Sequence, residues 1–168
     1  LDLRGPELPR LLRQADVVLE SSRPRALEQL GIDREAIAAE TGCVWVAITG
    51  RGLDAPDRNR PAFGDDAAVA GGLVATDPDD GGPLFCGDAL ADPVTGLVAA
   101  VGALAARAAG GPWIVDAGLA TCAATLAHDA RLDASIEGLV ASPPRTRTPW
   151  AAAAPMGAHT AEVLAGAA

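Results

Sequence analysis

Three short apolar segments that do not alternate with polar residues set the strongest limit on how this chain can fold. They lie at residues 16–20, 43–49 and 113–116, and segments with helical spacing or helix-start signals separate them, beginning with residues 6–15. A strand that is apolar on both faces is normally buried on both faces, as in parallel sheets covered by helices. The chain is therefore predicted to have an α/β fold, in which a mostly parallel sheet with flanking helices forms a Rossmann-like open layer.

The other segments fit the same alternation. Further helices are predicted over residues 25–30, from Asp33 onward, and over residues 65–74, 92–109, 119–128 and 160–164. Residues 77–83 are a predicted surface turn, residues 84–86 a brief extended piece, and residues 141–155 an extended segment rich in proline and alanine. No internal repeat is visible, so residues 1–168 are predicted to form a single domain.

The net charge of −9 limits the classes of partner. Nucleic acid and anionic membrane surfaces both need a basic face on the protein, so neither is expected as a partner. No run of 18 consecutive apolar residues is present, so no membrane-spanning helix is predicted. All 13 basic residues are arginines, which excludes Schiff-base chemistry and the lysine of a phosphate-binding P-loop.

The cysteines Cys43, Cys86 and Cys122 are odd in number, widely spaced and not arranged as CxxC. This pattern indicates reduced cysteines in a cytoplasmic protein. His128 and His159 do not have ligand spacing to a cysteine, so no metal site is predicted.

Asp92, followed by Pro93, opens the longest predicted helix and has two interpretations. Asp accepts hydrogen bonds from free N–H groups at a helix start and Pro is favoured at the first helical position, so the pair by itself indicates a helix cap. The functional interpretation uses the same position, because an ionised carboxylate at the end of an element lies where ligands often bind. Gly96 lies one turn further along, where a glycine lets a ligand approach the carboxylate closely. Asp88 is more typical of a loop residue than of a second carboxylate paired with Asp92.

Ser21, Ser22 and Arg23 follow the first predicted strand at its carboxyl end, where α/β sheets bind ligands. Two hydroxyls and a guanidinium suit a phosphate or a ribose, whereas a solvated turn is the plainer interpretation. A hydrolase triad built on His128 is not supported, because the chain has no GxSxG nucleophile turn. The absence of GxGxxG argues against a dinucleotide-binding turn.

Four segments together resemble family III CoA-transferases, the enzymes similar to carnitine CoA-transferase, formyl-CoA transferase and 2-methylacyl-CoA racemase. The segments occur in the family's order and cover most of the chain. They are residues 15–24 followed by Leu27, Leu30 and Gly31, then residues 46–52, residues 87–97 and residues 156–164. The third segment places Asp92 at the position of the family's catalytic aspartate.

The resemblance implies an acyl-CoA:carboxylate CoA-transferase with Asp92 as its nucleophile. In such an enzyme the aspartate attacks the acyl-CoA thioester and forms a mixed anhydride and then an aspartyl-CoA thioester, from which CoA passes to the acceptor acid. The substrates would be an acyl-CoA and a carboxylic acid acceptor. Coenzyme A would enter as a thioester substrate, and no tightly bound cofactor or metal is expected.

The resemblance also assigns binding residues. Those that match the family's CoA-contacting segment are Ser21, Ser22, Arg23 and Ala26. The glycines expected on the substrate side are Gly50, Gly52 and Gly96. Backbone N–H groups in the stretch from Gly50 to Gly52 are expected to stabilise an oxyanion.

Departures from the family pattern keep alternatives open. Ser21 and Ser22 replace the usual asparagine and an aromatic or apolar residue, and Gln29 replaces an arginine that contacts CoA in some members. Racemases of the family carry a histidine in the segment that matches residues 63–65. None is present there, so a transferase is favoured over a 2-methylacyl-CoA racemase or epimerase.

Two larger departures concern the extent of the chain. The family's N-terminal strand–helix region has no match here, and the stretch from Trp113 to the last motif is too short for the family's smaller domain. The resemblance thus implies a partial chain that works as a homodimer or assembles with a missing family segment. A non-catalytic CoA-transferase-like subunit or remnant is the alternative from another class.

Overall fold

The computed structural model describes residues 3–129, 142, 148 and 151–166. In chain order the elements are α1 (Glu7–Gln14), β1 (Val17–Glu20), α2 (Pro24–Leu30), α3 (Arg34–Thr41), β2 (Val44–Thr49), α4 (Gly64–Ala70), β3 (Val74–Thr76), β4 (Pro83–Phe85), α5 (Ala91–Ala109), β5 (Trp113–Gly118), α6 (Leu119–Asp129) and α7 (Thr160–Gly166). The predicted segment at residues 141–155 lies mostly outside the described residues.

The three segments predicted as buried strands form one parallel sheet in the order β1-β2-β5. The central strand β2 aligns Val46 with Leu19 of β1 on one side and with Val115 of β5 on the other. The predicted α/β fold, with a parallel sheet and flanking helices, is confirmed. Because all three strands run the same way, their carboxyl ends lie along one edge of the sheet.

Both faces of β2 are buried, which explains its continuous apolar sequence. On one face Trp45 packs in a cluster with Val18 of β1 and Ile37 of α3. On the other face Val46 packs in a cluster with Ala99 of α5. A strand covered by helices on both sides has no position for a polar residue that faces water, so polar and apolar residues do not alternate along it.

The loops after α2 and before α3 follow their sequence signals. Gly31 ends α2 in the left-handed region, with φ of 67°. Asp33 caps α3, since its Oδ1 accepts a hydrogen bond from the Ala36 N–H at 2.9 Å. These two residues set the direction in which the chain returns to the sheet as β2.

The predicted helix over residues 65–74 was too long at its end. Helix α4 stops at Ala70, and residues 74–76 form β3, which pairs antiparallel with β4. Two glycines cause the break. Gly72 has φ of 91°, and Gly71 lies so close to α6 that a Cβ built on it would be 2.6 Å from Ala123 Cβ.

Helix α5 lies against the sheet with one side and exposes apolar residues on the other. Its Gly102 allows close packing, because a Cβ there would lie 2.9 Å from Val115 Cγ1. On the outer side Leu97, Val101 and Leu104 are 71%, 67% and 72% exposed.

Among the described residues, α5 is the one helix long and apolar enough to cross a membrane, with a mean hydropathy of 1.2. A core helix passes the same test of length and composition, and α5 already covers one face of the sheet. The expectation of no membrane partner stays a prediction.

Candidate functional site

A cleft of about 390 Å³ opens at the carboxyl ends of β1 and β2. It brings together five residues that the sequence singled out from three separate segments. Ser21, Ser22 and Arg23 follow β1, Gly50 follows β2, and Asp92 lies at the start of α5. The cleft therefore has the location that ligand sites take in open α/β sheets.

Asp92 is exposed in the first turn of α5, and its carboxylate does not cap the helix. The helix begins at Ala91, one residue earlier than expected, and no side-chain hydrogen bond caps it. The interpretation of Asp92 as an N-cap was therefore wrong. The first turn is closed by the backbone instead, since the Asp92 N–H donates to the Ala89 carbonyl at 3.0 Å. The carboxylate remains open to the cleft.

The turn that precedes Asp92 is held by α4. Ala89 lies in the left-handed region with φ of 48°, which is unfavourable for a residue with a side chain. Its N–H donates to Asp65 Oδ1 at 2.6 Å. Gly64 is in direct contact with the same turn, because a Cβ built on it would lie 2.6 Å from both Asp92 Oδ2 and the Ala89 carbonyl oxygen.

The segment after β1 is ordered by the last residue of that strand. The Ser22 N–H donates to Glu20 Oε1 at 2.7 Å, and the Ser22 hydroxyl donates to the same oxygen. Glu20 Oε2 is buried without a hydrogen-bond partner in the described part of the chain. Both hydrogen-bond donors of Ser22 are used. The side-chain donors that remain for a ligand in this segment are the exposed Ser21 hydroxyl and the Arg23 guanidinium.

The segment after β2 was expected to offer backbone N–H groups to an oxyanion, and the structure shows that some of its N–H groups are already hydrogen-bonded. The Gly52 N–H donates to Thr49 Oγ1 at 2.8 Å, and the Leu53 N–H donates to Asp116 Oδ2 at 2.8 Å. Gly52 has φ of 99°, and a Cβ there would lie 3.2 Å from Asp116 Oδ2. The Gly52 N–H is therefore not free to stabilise an oxyanion, and neither is that of Leu53, which lies beyond the predicted stretch. For Gly50 and Arg51 the expectation stays a prediction.

Two other residues that were matched to the family are not among the residues that line the cleft. Ala26 lies half-buried in α2, and Gly96 is exposed on α5 one turn beyond Asp92. No atom outside its own helical backbone lies within 4 Å of a Cβ built on Gly96, so the space around it is open.

Sequence reasoning missed several cleft residues, which come from the loop before α4. Arg58, Arg60 and Phe63 line the cleft, and Phe63 is 78% exposed although it is a large apolar residue. Ile48 and Leu119 contribute apolar surface from the sheet side. The signal was available in part, because residues 51–60 carry three arginines in a strongly acidic chain.

A larger cleft of about 490 Å³ lies next to the first and does not include Asp92. The two share Pro24 and Arg58, and Arg58 pairs with Glu28 across 3.2 Å. Its wall carries more carboxylates than guanidiniums and no residue positioned to react, so we place the chemistry in the smaller cleft.

Metal ligands and disulfides do not enter the site. Within the described ranges, no three His, Cys, Asp or Glu side chains are grouped as a metal would need. Cys43 and Cys122 are buried and Cys86 is exposed, all three as free thiols.

The family model that matches this chain describes CoA-transferases, and two of its curated relatives are CoA-transferases as well. The family model described as CoA-transferase family III matches residues 2–162. Succinyl-CoA–D-citramalate CoA-transferase of Chloroflexus aurantiacus is 33% identical over 129 residues, which are 71% of this chain and 32% of that protein. The succinyl-CoA–L-malate CoA-transferase beta subunit of the same organism is 33% identical over 114 residues, covering 63% of this chain and 28% of that one.

A solved structure shares the fold as well. The crystal structure of a hypothetical protein from Mycobacterium tuberculosis superposes with a TM-score of 0.68 and 27% identity, covering 77% of this chain and 39% of that one. The chain thus spans about a third or less of the two curated relatives' length, and about two fifths of this solved chain.

Proposed function

The chain belongs to CoA-transferase family III, and we propose that it supplies the catalytic aspartate of an acyl-CoA:carboxylate CoA-transferase, with Asp92 as the nucleophile. The observation that carries the proposal is that Asp92, whose carboxylate does not cap its helix, lines the same cleft as Ser21, Arg23 and Gly50. A carboxylate needs no general base to act as a nucleophile at neutral pH, because it is already ionised.

The proposed reaction runs through covalent intermediates on Asp92. A carboxylate oxygen attacks the thioester carbonyl, the CoA thiolate leaves, and a mixed anhydride forms. The thiolate then attacks the aspartyl carbonyl, which releases the donor acid and leaves an aspartyl-CoA thioester. The acceptor carboxylate attacks that thioester, which releases the CoA thiolate and forms a second anhydride. The thiolate then attacks the acceptor acyl carbonyl of this anhydride, which gives the acceptor acyl-CoA and frees Asp92.

The cleft residues suit the parts of an acyl-CoA. Arg23, Arg58 and Arg60 line one cleft in a chain of net charge −9, and although Arg58 pairs with Glu28, the local excess of arginine favours the anionic phosphates of CoA. Phe63 and Leu119 give the same cleft an apolar side, which suits an acyl group or the pantetheine arm. The Ser22 hydroxyl, which donates its hydrogen to Glu20, would accept a hydrogen bond from the ligand through its oxygen. Ala26 would support the CoA-binding segment without lining the cleft.

Trapping of the intermediate tests the proposal. The chain is incubated with acetyl-CoA, succinyl-CoA or formyl-CoA and hydroxylamine, which converts an activated aspartyl group into a hydroxamate, and the digest is analysed by mass spectrometry. We expect a hydroxamate on Asp92 and none in Asp92→Asn. Asp88→Asn is the matched control, because Asp88 lies four residues away, exposed and outside the lining of the cleft. CoA transfer with an unmodified Asp92, or retained transfer in Asp92→Ala, would refute the proposed nucleophile.

Among the described residues that line the cleft, none besides Asp92 is a base of the kind that the racemase alternative needs. In the residues that match the racemase histidine segment, Gly64 lies against the Asp92 carboxylate and Phe63 is exposed in the cleft. Two-base proton exchange needs a partner on the opposite side of the substrate carbon. We therefore expect no exchange of solvent deuterium at the 2-carbon of a 2-methylacyl-CoA, and measurable exchange would favour the racemase.

We further propose that the working form is an assembly located in the cytoplasm. The three unpaired thiols fit a reducing compartment. The apolar outer side of α5, formed by Leu97, Val101 and Leu104, supports contact with a second copy of the chain. A non-catalytic subunit would share this surface but would give no hydroxamate on Asp92.

A further inference from the structure

Asp65 lies outside the cleft lining but reaches the turn that carries Asp92. Its Oδ1 accepts the Ala89 N–H at 2.6 Å across 24 residues of sequence. The carbonyl of the same Ala89 accepts the Asp92 N–H at 3.0 Å. The two hydrogen bonds lie on either side of the Ala89 Cα, so together they fix both backbone torsions of that residue.

Ala89 is the residue in this turn that most needs such fixing. Its φ of 48° makes it the one described residue other than glycine with a positive φ. An alanine left to itself favours the negative-φ regions, and the peptide before Asp92 would then rotate. The Asp65 carboxylate is a strong, charged acceptor that holds the N–H in the direction that the positive φ requires.

The contact between α4 and this turn has little room to adjust. Gly64 touches the Ala89 carbonyl oxygen and Asp92 Oδ2, as the 2.6 Å distances from a built Cβ show. Asp66, the next residue, makes a different bond. Its Oδ1 accepts the Phe63 N–H at 2.6 Å, so it acts at the start of α4 and makes no described hydrogen bond to Ala89 or Asp92.

We propose that Asp65 is a positioning residue for Asp92, which acts through Ala89 to hold the carboxylate in line with the substrate carbonyl. This inference rests on the proposed role of Asp92 as the nucleophile. Nucleophilic attack is sensitive to placement, and a displacement of about 1 Å can lower the rate on the order of 100-fold. Substrate binding depends on other residues, such as Arg23 and Arg60, so the loss falls on kcat.

Matched variants of the two neighbouring aspartates test the inference. In Asp65→Ala, kcat for CoA transfer should fall about 10- to 100-fold with KM for the acyl-CoA nearly unchanged. In Asp65→Asn, whose amide oxygen can still accept the Ala89 N–H, most of kcat should return. Asp66→Ala loosens the start of α4 but keeps the acceptor for the Ala89 N–H, so it should lower the melting temperature and reduce kcat far less than Asp65→Ala does.

A double variant separates positioning from general stability. Glycine adopts a positive φ without strain, so Ala89→Gly in the Asp65→Ala background should recover part of the lost kcat. Equal kcat losses in Asp65→Ala and Asp66→Ala would mean a purely structural role and would overturn the inference. Wild-type kcat in Asp65→Ala would overturn it as well. If Asp92→Ala remains active, the proposed function itself fails, which is a different result.

Amide hydrogen exchange gives an answer that does not need activity. In the wild-type chain the Ala89 and Asp92 amides should be protected, and Asp65→Ala should raise their exchange rates at least tenfold. Asp66→Ala, which keeps the Asp65 carboxylate, should raise both rates far less. Unchanged exchange at both amides in Asp65→Ala would overturn the inference, because the clamp would then not depend on that carboxylate.

Discussion

At the residue scale, the reactivity proposed for Asp92 depends on how its helix begins. A carboxylate used as an N-cap would be occupied by backbone N–H groups, and such hydrogen bonds stabilise the anion and lower its nucleophilicity. Here the Ala89 carbonyl and the preceding turn close the helix start instead. The Asp-Pro signal by itself indicated a helix cap, and the family resemblance identified Asp92 as the nucleophile. Neither placed the helix start one residue earlier at Ala91. The turn before the helix is held by the Asp65 contact with Ala89, which joins two segments distant in sequence and which the sequence did not reveal.

A side chain at Gly64 should disable the site. In Gly64→Ala the added Cβ would lie 2.6 Å from Asp92 Oδ2, so the carboxylate or the α4 turn must move. We expect CoA transfer to fall at least tenfold and the protein to lose about 1–3 kcal/mol of unfolding free energy, as overpacked sites do. Gly87→Ala is the control, because its nearest neighbour is Leu90 Cβ at 3.9 Å. Enzyme assays and urea unfolding measure both effects, and full activity in Gly64→Ala would contradict the described contact.

The arginines of the cleft should control binding of CoA rather than chemistry. In Arg60→Gln we expect KM for the acyl-CoA to rise several-fold with little change in kcat, since one charge opposite the phosphates is lost. The effect should shrink at high salt, which screens exposed charges. Arg25→Gln is the matched control, because Arg25 is exposed on α2 and is not among the residues that line the cleft. Equal KM changes in both variants would indicate a general charge effect and no local site.

At the element scale, the buried parallel strands were predictable, and of the β3–β4 hairpin the turn and the second strand were predicted but β3 was not. β2 reads as one apolar run because α3 and α5 cover its two faces, a signal contained within the segment itself. The end of α4 depends instead on packing, since Gly71 is where the chain passes closest to α6. Residues 65–74 do contain a local signal, because the pair Gly71-Gly72 marks a turn, and the helix predicted through Val74 overlooked it. The cleft residues Arg58 and Arg60 were missed for a different reason, because a polar loop does not reveal which neighbour it faces.

Two glycines on one helix should respond in opposite ways to the same substitution. In Gly102→Leu the side chain meets Val115, whose Cγ1 lies 2.9 Å from a built Cβ, so α5 must move off the sheet. We expect a loss of about 1–3 kcal/mol of unfolding free energy. Gly96→Leu faces open space and should be neutral or stabilising by up to about 1 kcal/mol, because glycine weakens a helix interior. Thermal or urea unfolding compares the two, and equal losses would mean that α5 does not pack closely at Gly102.

At the scale of the whole molecule, the distribution of charge favours association through one particular surface. The net charge of −9 repels two copies over most of their surface. The exposed side of α5 is different, since no charged residue lies on the helix between Asp92 and Arg107. Leu97, Val101 and Leu104 follow one another at spacings of four and three residues, which is the pattern of a seam between two helices.

A charge placed on this seam should separate the copies. We expect the wild-type chain to sediment as a dimer that buries Leu104, which is 72% exposed in a single copy. Burial of a leucine contributes about 1.5–3 kcal/mol, and Leu104→Glu would remove that contribution and place a charge against its own symmetry mate. The variant should therefore sediment as a monomer at the same concentration. Leu84→Glu is the control, since Leu84 is also exposed but belongs to β4 and not to α5. If all three chains sediment with the mass of a single copy, the outer side of α5 does not pair with itself, and its apolar residues must meet a different polypeptide.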